Sequence, residues 1–163
     1  MVKKIVSGGQ TGVDRAALDT AISLNIVHGG WCPKNRKAED GTIHPKYNLK
    51  ETETEDYSER TKLNIRDSDA TIILLMTDLS EIRDGTILTA EEAHATGKSL
   101  LLVDIRKASA IEETASWINT QQISVLNIAG PRESQSPQIY NASESFLNKL
   151  YPKIIEKTPS PKL

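Results

Sequence analysis

Residues 7–18 read SGGQTGVDRAAL. The apolar pair Ile5 and Val6 just before them marks a short strand at Lys4–Ser7, and Ala16, Ala17, Ala21 and Ile22 just after them recur at helical spacing. Strand, glycine turn and helix in immediate succession open an α/β unit. Glycines let the backbone turn tightly and approach a ligand, and the amides and dipole at the start of the following helix attract an anion. Gly8, Gly9, Gln10, Thr11 and Gly12 are therefore expected to cradle a phosphate, with Thr11 donating its hydroxyl. Asp14 and Arg15 either bind polar groups of the ligand or flank the helix. The competing reading is an ordinary glycine turn with an aspartate complementing the helix dipole.

Outward from this stretch the alternation continues. Strands are expected at about Ile26–Trp31, Ala70–Met76, Ser99–Ile105 and Ser124–Ala129, and helices at Tyr57–Arg66, Thr86–Ala95, Ile111–Thr120 and Gln138–Glu156, the last interrupted near Pro152. The run Ala70–Met76 is apolar enough to be covered on both faces. Helix-length crossovers between successive strands require a parallel sheet. The fold class is therefore α/β, a Rossmann-like three-layer α/β/α sandwich around about five parallel strands, with order 2-1-3-4-5 favoured. Residues 32–56 are polar and read as one long loop. The chain at 1–157 reads as one domain, and 158–163, with two prolines and no periodicity, as a fraying tail.

Composition excludes several classes. Twenty basic against 22 acidic residues give a net charge of −2, so no global field draws nucleic acid or anionic membrane. No apolar run reaches spanning length and no signal peptide is evident. One cysteine excludes an internal disulfide, and three scattered histidines lack zinc spacing, so no intrinsic metal site is expected. A reducing cytoplasm is the expected location. Cys32 could offer a thiolate to a soft metal, although a lone cysteine beside a strand is more often a buried small hydrophobe.

Ligands of open parallel sheets bind beyond the carboxyl ends of the strands. Besides the opening loop, two others follow strands: Arg83-Asp84-Gly85-Thr86 and Gly130-Pro131-Arg132-Glu133-Ser134-Gln135-Ser136. Asp84, Gly85 and Thr86, and the guanidinium and hydroxyls of Arg132, Ser134 and Ser136, are candidates to contact an oxyanion. Arg36 could reach a phosphate from the long loop as a bidentate donor. Tyr57, Arg60 and Asn64 share one helix face, turned to the site or to a partner subunit. The spacing is not Gly-x-Gly-x-x-Gly, and Gly97-Lys98-Ser99 has Glu92 where a P-loop needs its first glycine.

Taken together, SGGQTGVDRAALD, GWCPKNRKAEDGTI, YSERTKLNIRDSDATIIL, DGTILT and NIAGPRESQSP resemble the molybdenum carrier proteins over about residues 3–151. These form a circularly permuted YpsA-like branch of the Rossmann-like SLOG superfamily, related to the cytokinin-activating phosphoribohydrolases and to the DNA-processing protein DprA. The resemblance implies a phosphorylated ligand, nucleotide-like or the molybdenum cofactor (molybdopterin) itself, near Gly8–Gly12 and Gly85-Thr86. The phosphoribohydrolases carry Pro-Gly-Gly-x-Gly-Thr-x-x-Glu. Aligning Gly85-Thr86 with its Gly-Thr puts Thr89 in place of the glutamate, and a threonine cannot stabilise an oxocarbenium-like centre or activate water as a carboxylate does.

Two functions follow as expectations: a carrier or sensor that binds molybdopterin or a related ligand without turnover, and, alternatively, a nucleoside monophosphate N-glycosidase with Glu91 or Glu92 in partial substitution. DNA binding by analogy with DprA is not supported by the near-neutral composition. A homo-oligomer, dimer or tetramer, is expected, since related proteins associate.

Overall fold

The computed structural model describes residues 1–78 and 84–157; the expected tail at 158–163 and the Arg83 position lie outside the described residues. β1 (Lys4–Val6) turns through the glycines into α1 (Val13–Ser23), and β2 (His28–Gly29) returns parallel to β1. Four short strands follow: β3 (Trp31–Cys32), β4 (Lys37–Ala38), β5 (Gly41–Thr42) and β6 (Lys50–Glu51). The chain then alternates strictly, as α2 (Tyr57–Arg66), β7 (Ala70–Leu75), α3 (Asp84–Ala95), β8 (Ser99–Asp104), α4 (Ala110–Asn119), β9 (Val125–Ala129) and α5 (Ile139–Ile154).

Five parallel strands make the central sheet. α1, α4 and α5 pack on one another over one face, and α2 and α3 pack together over the other. β7 is buried at every position because it has strands on both sides and helices on both faces. α2 begins where the sequence places it because the Asp56 carboxylate accepts from the Ser58 amide at 2.9 Å, capping its first turn.

The strand order is β2-β1-β9-β7-β8, which corrects the expected 2-1-3-4-5. The strand last in the chain enters the middle of the sheet, with Leu126 opposite Ile5 of β1 and Ile128 opposite Ile72 of β7. Alternation shows that a crossover exists but not beside which strand it lands. With β9 counted first instead of last, the order becomes 3-2-1-4-5, that of the dinucleotide-binding sheets. The start of β1 and the end of α5 meet accordingly. The amide of fully buried Val2 donates to the Ile154 carbonyl at 2.9 Å, and its carbonyl accepts from the Glu156 amide at 3.0 Å.

Two further expectations are corrected. The stretch 32–56 is not a plain loop, since β3 pairs with β6 and β4 with β5 around a small core of Leu18, Cys32, Ala38, Ile43 and Tyr47. Nor does Pro152 interrupt α5. It sits in the last turn, where its missing N–H leaves the carbonyl of exposed Asn148 to water.

Candidate functional site

A cleft of about 710 Å³ opens beyond the carboxyl ends of β1, β9 and β7. In the order that counts β9 first, the sheet reverses direction between β9 and β7, so this is the switch point at which such sheets bind ligands. The turn after β1, α2, the start of α3 and the loop after β9 form its walls. Ile73, Leu75, Met76 and Leu88 give it an apolar floor.

Of the opening glycine stretch, Gly8, Gln10 and Asp14 line the cleft. Arg60 reaches across from α2, and its Nη1 donates to the Gly8 carbonyl at 2.8 Å and to Asp14 Oδ2 at 3.1 Å. A β-carbon at Gly8 would collide with that guanidinium. Asp14 is 6% exposed, and burial raises its carboxyl pKa despite Arg60 and the Gln10 amide, which act to lower it. Tyr57, Arg60 and Asn64 do share a face, and it is turned to the cleft.

Several candidates are employed elsewhere. Gly9 and Gly12 both have φ of +79°. A β-carbon at Gly9 would press on Leu49 and Ile43, and one at Gly12 would collide with the Pro131 carbonyl. Thr11 donates its hydroxyl to Glu39 and accepts from the Glu133 amide at 3.1 Å. Ser134 also donates to Glu39, from its hydroxyl at 2.5 Å and its amide at 3.2 Å, so Glu39 ties the β4–β5 turn to both loops. Arg15 binds the Gly9 carbonyl and, through Nη1 at 2.7 Å, Asp40. Arg36 spends its guanidinium on the carbonyls of Ile43, His44, Tyr47 and Leu49, folding its own segment. Asn64 lines the cleft, but its amide group holds the Trp31 backbone at 2.7 and 3.0 Å. Cys32 is fully buried in the small core, its thiol pKa pushed up by burial.

The far wall carries Gly85, Thr86 and Thr89 of α3 with Arg132 and Ser136 after β9. Asp84 opens α3, but its side chain lies outside the described residues. Thr89 donates its hydroxyl back to the Gly85 carbonyl at 2.9 Å. Glu91 is exposed and Glu92 half-buried, and neither lines the cleft. Sequence reasoning missed Gln10's bracing role, in which its Oε1 accepts from the Thr11 and Glu39 amides. It also missed Asn127, Ser58, Thr61, Thr77 and Gln135 as lining residues. Asn127 was the one with a signal, a polar residue inside a buried strand.

Sheet and cleft together define a Rossmann-like α/β domain with a single-chain pocket at its switch point. The chain belongs to the circularly permutated YpsA SLOG family, whose model matches residues 5–151. The permutation in that description is visible in the sheet, where the last strand occupies the place of a first. The chain is 44% identical to a crystal structure named "Putative molybdenum carrier protein" from Syntrophus aciditrophicus SB. That match covers 91% of this chain and 94% of the other, with a TM-score of 0.83. No curated protein matches the chain.

Proposed function

We propose that the protein is a molybdenum cofactor carrier or sensor, holding molybdopterin or a related phosphorylated, nucleotide-like ligand in the switch-point cleft without turning it over. One observation carries this reading: among the described residues, the charged side chains lining the cleft are Arg60, Arg132 and Asp14, and the sole carboxylate, Asp14, is committed to Arg60. Such a lining can hold an anion, and it offers no unengaged carboxylate to protonate a leaving group or to activate water. The volume suits a ligand of nucleotide size, and the apolar floor suits a flat heterocycle. No cysteine lines the cleft, so a carried molybdenum would be held by its own organic group rather than by a protein thiolate. The Syntrophus relative's name points the same way.

The glycosidase alternative lacks its best residue, because Thr89, which the resemblance aligns with the phosphoribohydrolase glutamate, brings a hydroxyl and no carboxylate to the cleft. Calorimetric titration with molybdopterin and with a panel of nucleoside monophosphates, followed by chromatography for free base, tests the reading. Saturable binding with no base released is the expected result. Sustained release of base by the wild type would overturn it.

A further inference from the structure

We propose that the cleft takes a single phosphate monoester anchored on Arg132, and that the glycine turn before α1 builds the wall rather than holding the anion. This rests on the reading of the cleft as a phosphorylated-ligand site and specifies it.

The starts of α1 and α5 are already occupied by the protein, whereas that of α3 lines the cleft with Gly85 and Thr86. At α1 the Val13 amide donates to the Pro131 carbonyl at 3.3 Å, the Gln10 amide to Asp14, the Thr11 amide to the Gln10 side chain and the Arg15 amide to the Gln10 carbonyl. The Pro131–Glu133 backbone lies so close against Gly12 that a β-carbon there has no room, and a phosphate is far larger. At α5 the Glu133 carboxylate takes the place an anion would have, accepting from the Gln138 amide at 2.6 Å and the Tyr140 amide at 3.0 Å.

Arg132 is different. Its backbone is fixed by a turn in which its carbonyl accepts from the Gln135 and Ser136 amides at 3.0 and 3.1 Å. Its guanidinium lies over the Tyr57 ring, 5.8 Å from the centroid, and among the described residues it has neither a hydrogen-bond acceptor nor an ion-pair partner. Its charge helps hold Glu39 ionised, but Glu39 is bonded to Thr11 and Ser134 instead. Stacking on Tyr57 presets the planar fork and leaves its donors for a bidentate oxyanion. Ser136, which also lines the cleft, adds a hydroxyl from the same turn.

The charge inventory then limits the ligand. Asp14 neutralises Arg60, which leaves Arg132 as the one uncompensated charge among the described lining residues. One guanidinium matches one phosphate monoester. A diphosphate or triphosphate would bring further negative charge into the cleft, with no second uncompensated cation among the described lining residues to meet it.

The test uses the full chain, with AMP, ADP, ATP and inorganic phosphate as probes. Calorimetry on the wild type, Arg132→Gln and Arg132→Lys is paired with circular dichroism to confirm folding, and with NMR of the arginine Nε–H resonances. AMP should bind the wild type saturably and shift the Arg132 Nε–H resonance while leaving the Thr11 and Val13 amides in place. Arg132→Gln should lose at least tenfold in AMP affinity, Arg132→Lys should recover part of it, and ADP and ATP should bind no more than about threefold tighter than AMP. Equal AMP affinity for wild type and Arg132→Gln would overturn the anchor while leaving the phosphorylated-ligand reading intact, as would perturbation of the Thr11 and Val13 amides alone. A tenfold gain from AMP to ADP would overturn the monoester limit. Wild type that binds neither AMP nor phosphate would overturn this inference, and the reading on which it rests would fall with it only if molybdopterin also failed to bind.

Discussion

Glu39 is exposed, yet it accepts hydrogen bonds from Thr11 and from both groups of Ser134. Desolvation alone would raise its pKa, but the bonds from Ser134 and Thr11, helped by Arg132, outweigh it and hold the carboxyl below its usual range. A pKa lower in the folded state means that the unfolded chain binds the proton more tightly. The stabilisation is therefore present above about pH 4.3, the ordinary value for glutamate, and is lost as pH falls through the lowered value. Melting temperatures followed from pH 7 to 3 should fall less steeply for Glu39→Gln than for wild type, and parallel curves would refute the clasp. Asp14 has the opposite sign: its raised pKa favours the folded state at low pH and weakens it as pH rises. The two glycines at the site should also separate. Gly12→Ala puts a side chain at φ +79° and into the Pro131 carbonyl, so urea denaturation should show a loss of at least about 2 kcal/mol. Gly85 has open space around it and lies in α3, so Gly85→Ala should stabilise by up to about 1 kcal/mol. Residue types made Arg132 and Ser136 candidates for an oxyanion, and helical spacing put Arg60 on a face turned to the site or to a partner subunit. They could not tell that Arg15 and Arg36 were committed, because, besides the Gly9 carbonyl, the acceptors are Asp40 and four carbonyls that exist as a set only once 32–56 has folded.

At the scale of elements the most legible pieces were those with a local cause. α2 spans Tyr57–Arg66 as read, since Asp56 caps it and Asp67 ends it, and β7 announced itself as an apolar run broken only by Thr71. The pieces β3 to β6 are two residues each, too short for any period, and their pairing depends on Tyr47 and Ile43 reaching a small core that no local pattern specifies. α1 and α5 pack against each other with a flaw that invites a test. Thr20 Oγ1 on α1 and Ser143 Oγ on α5 are buried without a hydrogen-bond partner among the described residues, in residues 2% and 0% exposed. An unsatisfied buried hydroxyl costs about 1–3 kcal/mol. Ser143→Ala, which removes the hydroxyl and little volume, should raise stability by about 1 kcal/mol in chemical denaturation. A loss of stability would mean that the oxygen fills space worth more than its missing bond.

For the whole molecule, the sequence carried the α/β alternation and the position of the cleft but not the order of the sheet. The cleft survived the wrong order for a physical reason: loops at the carboxyl ends of parallel strands share one rim whichever strand lies beside which. What alternation cannot encode is that β9 belongs between β1 and β7, a property of where α4 and the loop after it carry the chain. If the order is a permuted 3-2-1-4-5 sheet, connectivity should be dispensable. The bonds of Val2 to Ile154 and Glu156 put the ends side by side, and the Gln121–Gln122 link before β9 offers an exposed opening point at Gln122. A chain that starts at Gln122, runs to 157, continues through a linker of about six Gly and Ser residues to Met1 and ends at Gln121 keeps every strand pairing. A flexible linker of that length spans roughly 12–15 Å, enough to turn back beside Val2. The rearranged chain should fold to the same sheet at a cost below about 2 kcal/mol, a drop of roughly 4–8 °C in melting temperature. Arg132 would then follow the first strand, and phosphate-ligand affinity should stay within about twofold of wild type, because every wall of the cleft is retained. Failure of that chain to fold, with the opening at Gln122 and linker length varied, would show that the present connectivity is needed to place β9.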